Sequence, residues 1–272
     1  DGTLLWKQDL GEVRVGASLG EGCSPVLHHG RIIIVRDHSG QSSIEVLEAA
    51  TGQTVWKHTR DEKNAWATPK IFTEDGERTQ VITAASKFIR SYDLDTGEVI
   101  WQCSGLTGNV TPSPVIYNDM VICMSGYEGH SVMALKLDSK GDVSGSSAVV
   151  WSGDKGTPYI PSPLLFDDQL YFTQSNKGIL TSLNVTTGEA IIERTRLPDI
   201  QNIYASPVGA NGHVYFAGRT GAIVVLKHAN ELNVVATNKL DDEFNASPVP
   251  VGDCLYLRGR QYLYCICKNE NN

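Results

Sequence analysis

Residues 68–101 read T-P-K-I-F-T-E-D-G-E-R-T-Q-V-I-T-A-A-S-K-F-I-R-S-Y-D-L-D-T-G-E-V-I-W, and the rest of the chain repeats this pattern with variations. Thr68-Pro69 opens a short strand, and V-I-T-A-A continues as a hydrophobic one. After a turn, I-R-S-Y-D-L alternates, Asp95-Thr96-Gly97 turns again, and a last strand ends at Trp101. Elsewhere the opening residue is serine. The opening prolines fall at Pro25, Pro69, Pro114, Pro163, Pro207 and Pro248, separated by 44, 45, 49, 44 and 41 residues. A fixed period of about 45 residues with four short strands in each is the signature of a β-propeller blade.

Composition bounds the remaining classes. A repeat overrides the one or two domains that 272 residues suggest, because blades stack into one body, so residues 1–272 are expected to form a single β-propeller domain. Its longest apolar runs, such as Ile32 to Val35, have strand length and fall far short of a transmembrane segment. A formal net charge of −8 with scattered acidic residues speaks against a nucleic-acid partner. The six cysteines are too sparse for a disulfide scaffold. Cys265 and Cys267 share one strand face, a poor spacing for a mutual disulfide, and buried free thiols are expected throughout.

Taken in order, blades start near residues 24, 68, 113, 162, 206 and 247. The third carries D-S-K-G-D-V-S-G-S-S at residues 138–147 in place of the short Thr-Gly turn, and this reads as a polar surface loop. The fourth keeps Thr-Gly but has Ile192 where Trp would stand. The fifth has lost both features, and the sixth ends after three strands. Residues 1–10, D-G-T-L-L-W-K-Q-D-L, match the end of a unit, with Trp6 in the terminal Trp position. They are expected to supply the closing outer strand of the last blade, removing two sheet edges. A longer parent with seven or eight blades would leave the same ends. The fold class expected is therefore all-β, a propeller of four-stranded antiparallel blades, six in this chain.

The recurring residues have structural readings. Proline lacks a donor and suits the first position of a strand. The Thr-Gly turns need positive φ. Trp6, Trp56, Trp101 and Trp151 are expected to wedge between neighbouring blades, burying large rings and giving each indole N–H a backbone carbonyl.

The combination seen in Y-D-L-D-T-G-E-V-I-W (Tyr92 to Trp101) and L-E-A-A-T-G-Q-T-V-W (Leu47 to Trp56) resembles the PQQ-type repeat of the quinoprotein-like propellers, over essentially the whole chain. That family holds quinone-dependent dehydrogenases and also non-enzymatic members, among them an outer-membrane assembly lipoprotein, so the resemblance implies a fold more firmly than an activity. The W-A-T-P, L-T-G-N-V-T-P-S-P and T-P-Y-I-P-S-P segments are most similar to bacterial PQQ-like repeat proteins. By resemblance the compartment is periplasmic or extracellular. The dehydrogenases of the family use an acidic base, a calcium ion held by Glu, Asn and Asp, and often a disulfide between adjacent cysteines. This sequence offers no adjacent cysteine pair and no Glu/Asn/Asp set that maps onto the calcium site. The reading is a non-catalytic binding or assembly platform with no catalytic or metal-binding residue and no PQQ expected. A PQQ- and calcium-dependent dehydrogenase is the alternative.

Propeller loops that join one blade's outer strand to the next blade's inner strand gather at one channel mouth. In this chain they carry Arg14, Lys63, Asn64, Trp66, Asn109, Tyr159, Asn202, Tyr204 and Phe244. Trp66, Tyr159, Tyr204 and Phe244 each precede a Ser/Thr-Pro step, and aromatic residues on a rigid rim are typical of binding surfaces. Trp66 stands off the repeat position and has no evident scaffold role, making Lys63-Asn64-Trp66 the sharpest candidate for contact with a protein or small-molecule ligand. The seven histidines are dispersed without metal-ligand spacing.

Overall fold

In the computed structural model, residues 2–16, 19–74 and 78–268 are described, and among them every regular element is a β-strand. Among the described residues no helix is long and apolar enough to cross a membrane. The chain divides into two compact units, Asp1–Ser152 and Gly153–Asn272. Asp1 and residues 75–77, within the E-D-G-E-R hairpin, lie outside the described residues.

The first unit holds three sheets. One is β1 (Val26–His28), β2 (Arg31–Arg36), β3 (Ser42–Glu48) and β4 (Thr54–Arg60), in that spatial order and antiparallel throughout. The next runs β5 (Lys70–Thr73), β6 (Thr79–Ala84), β7 (Ile89–Asp93) and β8 (Val99–Cys103), with β12 (Gly141–Asp142) added parallel to β8. The third comprises β9 (Val115–Tyr117), β10 (Met120–Ser125), β11 (Ser131–Lys136) and β13 (Val149–Gly153). The second unit repeats the arrangement with β14 (Leu164–Phe166) to β17 (Ala190–Arg196), then β18 (Val208–Ala210) to β21 (Val234–Lys239), and lastly β22 (Val249–Val251), β23 (Cys254–Arg258) and β24 (Leu263–Cys267). These meandering sheets, four of them four-stranded, are propeller blades, and in the β9–β10–β11–β13 and β14–β17 sheets the two middle strands are the most deeply buried.

Three expectations need correction. Buried free thiols do not occur throughout, since Cys254 and Cys267 form a disulfide across a strand pair and Cys265 is exposed. Residues 138–147 are more than a polar loop. Asp142 pairs with Gln102, the Val143 N–H donates to the Gln102 carbonyl, and Val143 itself is buried. The insertion thus covers the open edge of β8, an edge that would otherwise present unpaired backbone groups. Residues 2–10, in turn, form no strand, and among the described residues the last blade has three strands. The segment docks on the first blade instead. The Trp6 indole donates to the Ala49 carbonyl at 2.9 Å, and the Arg36 guanidinium donates to the carbonyls of Leu10 and Gly11.

Trp6 meets the first blade much as Trp56 meets the second. The Trp56 indole donates to the Leu94 carbonyl at 2.7 Å, one strand-to-turn step before Thr96-Gly97. Gly52 lies under the Trp6 ring and Gly97 under the Trp56 ring, with φ of 72° and 76°; a Cβ on either would stand 2.5 Å from the aromatic or histidine atoms above it. The glycine of each Thr-Gly turn therefore answers two demands, left-handed backbone and close approach of the tryptophan of the preceding repeat. Trp101 is fully buried among Cys123, Leu135 and Val121 of the third blade, and its indole donates to Gln80 Oε1. Trp151 is half-buried on β13.

Blades are also tied at their inner strands. The Ser24 N–H donates to Thr68 Oγ1 at 3.2 Å, and the Thr68 N–H donates to Ser113 Oγ at 3.2 Å. In the second unit the Ser162 and Ser206 N–H groups donate to the hydroxyls of Ser206 and Ser247, both at 2.9 Å. Each of these four hydroxyls accepts from the backbone of the same position one blade earlier. Only Ser or Thr satisfies that geometry, which accounts for the residue before each proline. Ser206→Ala is expected to destabilise the chain by about 1 kcal/mol, read as a lower denaturant midpoint, while Ser206→Thr retains most of the stability. An unchanged midpoint in Ser206→Ala would show that the hydroxyl bond carries no weight.

Candidate functional site

The rim of each unit is built from two kinds of segment: the loops between blades, and the hairpins between the second and third strands of each blade. In the first unit the two are locked together by a buried ionic network. Arg60, at the end of β4, makes a two-pronged contact to Asp37 (Nε to Oδ1 2.7 Å, Nη2 to Oδ2 3.0 Å) and donates to Tyr92 Oη at 2.6 Å and Thr83 Oγ1 at 3.1 Å. The Arg60 and Asp37 side chains are 0% and 2% exposed. Two residues on, Glu62 accepts from Arg90 Nη1 at 2.9 Å and from the N–H groups of Lys87 and Phe88, and the Arg90 guanidinium lies over the Phe88 ring. Burial pushes the Glu62 carboxyl above its ordinary value, against the pull of those donors.

This network fixes the loop that carries Lys63, Asn64 and Trp66. Lys63 is exposed, and Asn64 accepts from the Ser39 hydroxyl at 3.1 Å. Arg14 is exposed, with its carbonyl taking the Ser39 N–H. Trp66, by contrast, has a scaffold role that its sequence position hid. Its indole donates to the Gly20 carbonyl at 2.9 Å, its backbone N–H donates to the Val110 carbonyl at 2.7 Å, and a Cβ on Gly22 would collide with its ring at 2.8 Å. It staples three successive inter-blade loops. Asn109, at φ 53°, turns the loop next to Val110 and is half-buried.

In the second unit, Phe244 departs most from the rim reading. It is fully buried, packed with Leu257, Ile223 and Tyr264, because its loop dips inward and its N–H donates to the Arg219 carbonyl. Phe244 is a core residue and is withdrawn as a contact residue. Tyr159 is half-buried, with its N–H on the Ser175 carbonyl. Asn202 and Tyr204 converge on Arg219, which the sequence reading missed. The Arg219 N–H donates to the Asn202 carbonyl, the guanidinium carbon lies 4.3 Å from the Tyr204 ring centroid, and Nε donates to Asn245 Oδ1 at 2.9 Å. Arg219 was overlooked because it lies in the G-R-T-G hairpin between second and third strands rather than in an inter-blade loop. A charged residue held in a glycine-flanked hairpin was the available signal.

The neighbouring blade shows how rim carboxylates are used. Asp242 accepts from the N–H groups of Glu243, Arg260, Gln261 and Tyr262 and from the Tyr264 hydroxyl. Desolvation alone would raise the Asp242 carboxyl; those donors outweigh it and hold the group below the ordinary carboxylate value. Asp37, Glu62 and Asp242, the three buried acids of the rim, are thus each spent on scaffold donors. A calcium-bound quinone needs free hard-oxygen ligands, and these acids do not provide them.

A cavity of about 660 Å³ in the second unit lies between the β18–β21 sheet and the last blade, lined by Tyr215, Val225, Lys239, Leu255 and Ile266 among others. It shares no residue with the Tyr204–Arg219 cluster.

These blades define a β-propeller repeat protein. The chain belongs to the family described as outer membrane protein assembly factor BamB, whose model matches residues 1–192 and again residues 41–271. No curated protein sequence matches the chain. Among solved structures it is similar to BamB from Moraxella catarrhalis (16% identity, TM-score 0.50, covering 87% of this chain and 81% of that one). It is also similar to a europium-containing methanol dehydrogenase (11%, 0.59, covering 88% of this chain and 53% of that one). The third likeness is to the quinohemoprotein alcohol dehydrogenase from Comamonas testosteroni (13%, 0.57, 86% and 44%). The chain therefore spans about half the length of the two dehydrogenases, and at these identities the likenesses speak for the fold.

Two outcomes test the rim. Asp37→Asn, which leaves Arg60 charged and buried, is expected to cost about 3–5 kcal/mol, whereas Asp37→Leu with Arg60→Met costs much less; urea unfolding of both variants decides, and equal losses would count against the network. Because the Asp242 pKa is depressed in the folded state, its contribution is present above the unfolded value of about 4 and lost as pH falls below it. Asp242→Asn should therefore lower the melting temperature at neutral pH and flatten its decline in acid. A variant with the wild-type pH profile would contradict this.

Proposed function

We propose that the chain acts as a non-catalytic binding platform for a protein partner, with the Tyr204–Arg219–Asn202–Asn245 cluster as its contact point in the second unit. One observation carries the reading. Arg219 is held over the Tyr204 ring and anchored through Nε, and among the described residues its two Nη groups have no protein partner. A guanidinium pre-ordered in this way loses little entropy on meeting a carboxylate, and the planar fork binds it with two parallel hydrogen bonds. The partner chemistry that fits is an acidic side chain or a chain terminus. Membership of a family described by an assembly factor supports a platform. The commitment of Asp37, Glu62 and Asp242 to the scaffold weighs against the quinone-dehydrogenase alternative.

A compartment outside the cytoplasm belongs to the same proposal. Its support is the disulfide between Cys254 and Cys267, a bond that persists in oxidising surroundings.

Binding of acidic peptides, followed by fluorescence anisotropy at two salt concentrations, is the test. Arg219→Ala should weaken binding about tenfold or more, and Tyr204→Leu by less. Equal affinities in wild type and Arg219→Ala would remove this contact point. A saturable rise in melting temperature with PQQ and Ca²⁺, accompanied by a bound-quinone spectrum, would overturn the platform in favour of the dehydrogenase.

A further inference from the structure

The last blade carries three sulfurs on one face. Cys254 on β23 stands directly across from Cys267 on β24, and Cys265 is two residues from Cys267 along the same strand, opposite Tyr256. Residues two apart on a strand project to the same side, so Cys254, Tyr256, Cys265 and Cys267 share a face. The opposite face, with Leu255, Leu257 and Tyr264, packs on the cluster around Phe244. On the sulfur-bearing face Cys265 and Cys267 are exposed, and Leu263, at 71% exposure, stands beside them. Cys254 and Cys267 are joined in a disulfide, while the Cys265 thiol lies 3.5 Å from the Cys267 sulfur. All three sulfurs fall within 4.8 Å of one another, and among the described residues no other group of three or more His, Cys, Asp or Glu side chains comes within metal-binding reach.

We propose that Cys254, Cys265 and Cys267 form a redox-gated site for a soft, thiophilic d¹⁰ cation such as Cu⁺, Zn²⁺ or Cd²⁺. In the oxidised chain two of the three ligands are tied up in the disulfide and the site is closed. A dithiol reductant opens it: two electrons and two protons pass to the Cys254–Cys267 bond, which breaks to give two thiols, and the dithiol becomes its own disulfide. The cation then displaces three protons and forms three metal–sulfur bonds. Sulfurs each about 2.3 Å from a shared metal stand about 4 Å apart in a trigonal set, so the present spacing is reached by turning side chains on a fixed two-strand ladder. An all-sulfur donor set selects soft cations over Ca²⁺ or Mg²⁺. Three protein ligands leave a fourth position open to solvent or to another thiol. Tyr256 stands directly across the ladder from Cys265, beside the ligand set and outside it. The remaining thiols are poor competitors: Cys103 and Cys123 are buried, and burial pushes the Cys23 thiol up to about 12.

The test uses the full chain and Cd²⁺ as the probe, because sulfur-to-cadmium charge transfer gives an ultraviolet band. Phosphine-reduced wild type should develop the band with saturation at one Cd²⁺ per chain, and the oxidised protein should not. In the reduced protein, Cd²⁺ should shield Cys254, Cys265 and Cys267 together from alkylation, as read by mass spectrometry of the digested chain. Cys265→Ser, at an exposed position, should lose affinity about tenfold or more. Binding that ignores reduction, unchanged affinity in Cys265→Ser, or an alkylation pattern unaltered by Cd²⁺ would each overturn the proposal. The footprint on wild type stands even if the serine variant folds poorly.

Discussion

The bond from a backbone N–H to the hydroxyl of the next repeat is the contact on which the rest of this structure depends. Inner strands of a propeller are short, here three or four residues each, and cannot bury much area by themselves. A directional bond at the same position in successive blades sets their spacing and rotation. The proline that follows removes a donor where the ladder has no acceptor for it. With the inner ends fixed, the outer ends are held by tryptophans resting on the glycines of the following Thr-Gly turns. One constraint is polar and directional, the other is a matter of shape, and each supplies what the other lacks.

The same economy of donors governs the rim. Asp37, Glu62 and Asp242 are acidic, buried and close to loops, features that in isolation suggest chemistry. Their hydrogen-bond partners show that each fastens a hairpin to an inter-blade loop. Buried ion pairs of this kind add modest net stability but enforce one arrangement, since any other leaves a charge unpaired. The rim is rigid as a result, and a rigid rim suits recognition. Arg219 acquires its interest from this background, as a cation ordered by Tyr204 and Asn245. Fold-level likeness to quinone dehydrogenases carries no weight against that, because the same blades hold unrelated sites.

The cysteines teach a related lesson. Spacing along the chain argued correctly that Cys265 and Cys267 would not bond to one another and shared a face. It had no access to Cys254, thirteen residues before Cys267 and brought opposite it by the β23–β24 hairpin. Cross-strand pairing is a property of register, and register follows from the hairpin turn and the buried face together.

The sequence by itself determined the blade: its period, its strand count, the turns that need glycine and the positions of the large aromatic wedges. These are local demands, satisfied within about 45 residues and repeated often enough to be read. What the tertiary structure decided was partnership. Trp66 became a staple, Phe244 went into the core, residues 138–147 closed a sheet edge, and residues 2–10 lay on the first blade without forming a strand. Each of these turns on which donor meets which acceptor across segments some 20 to 46 residues apart. A pattern of period 2 or period 45 carries no information at that range, because many partners fit the pattern and only packing selects one.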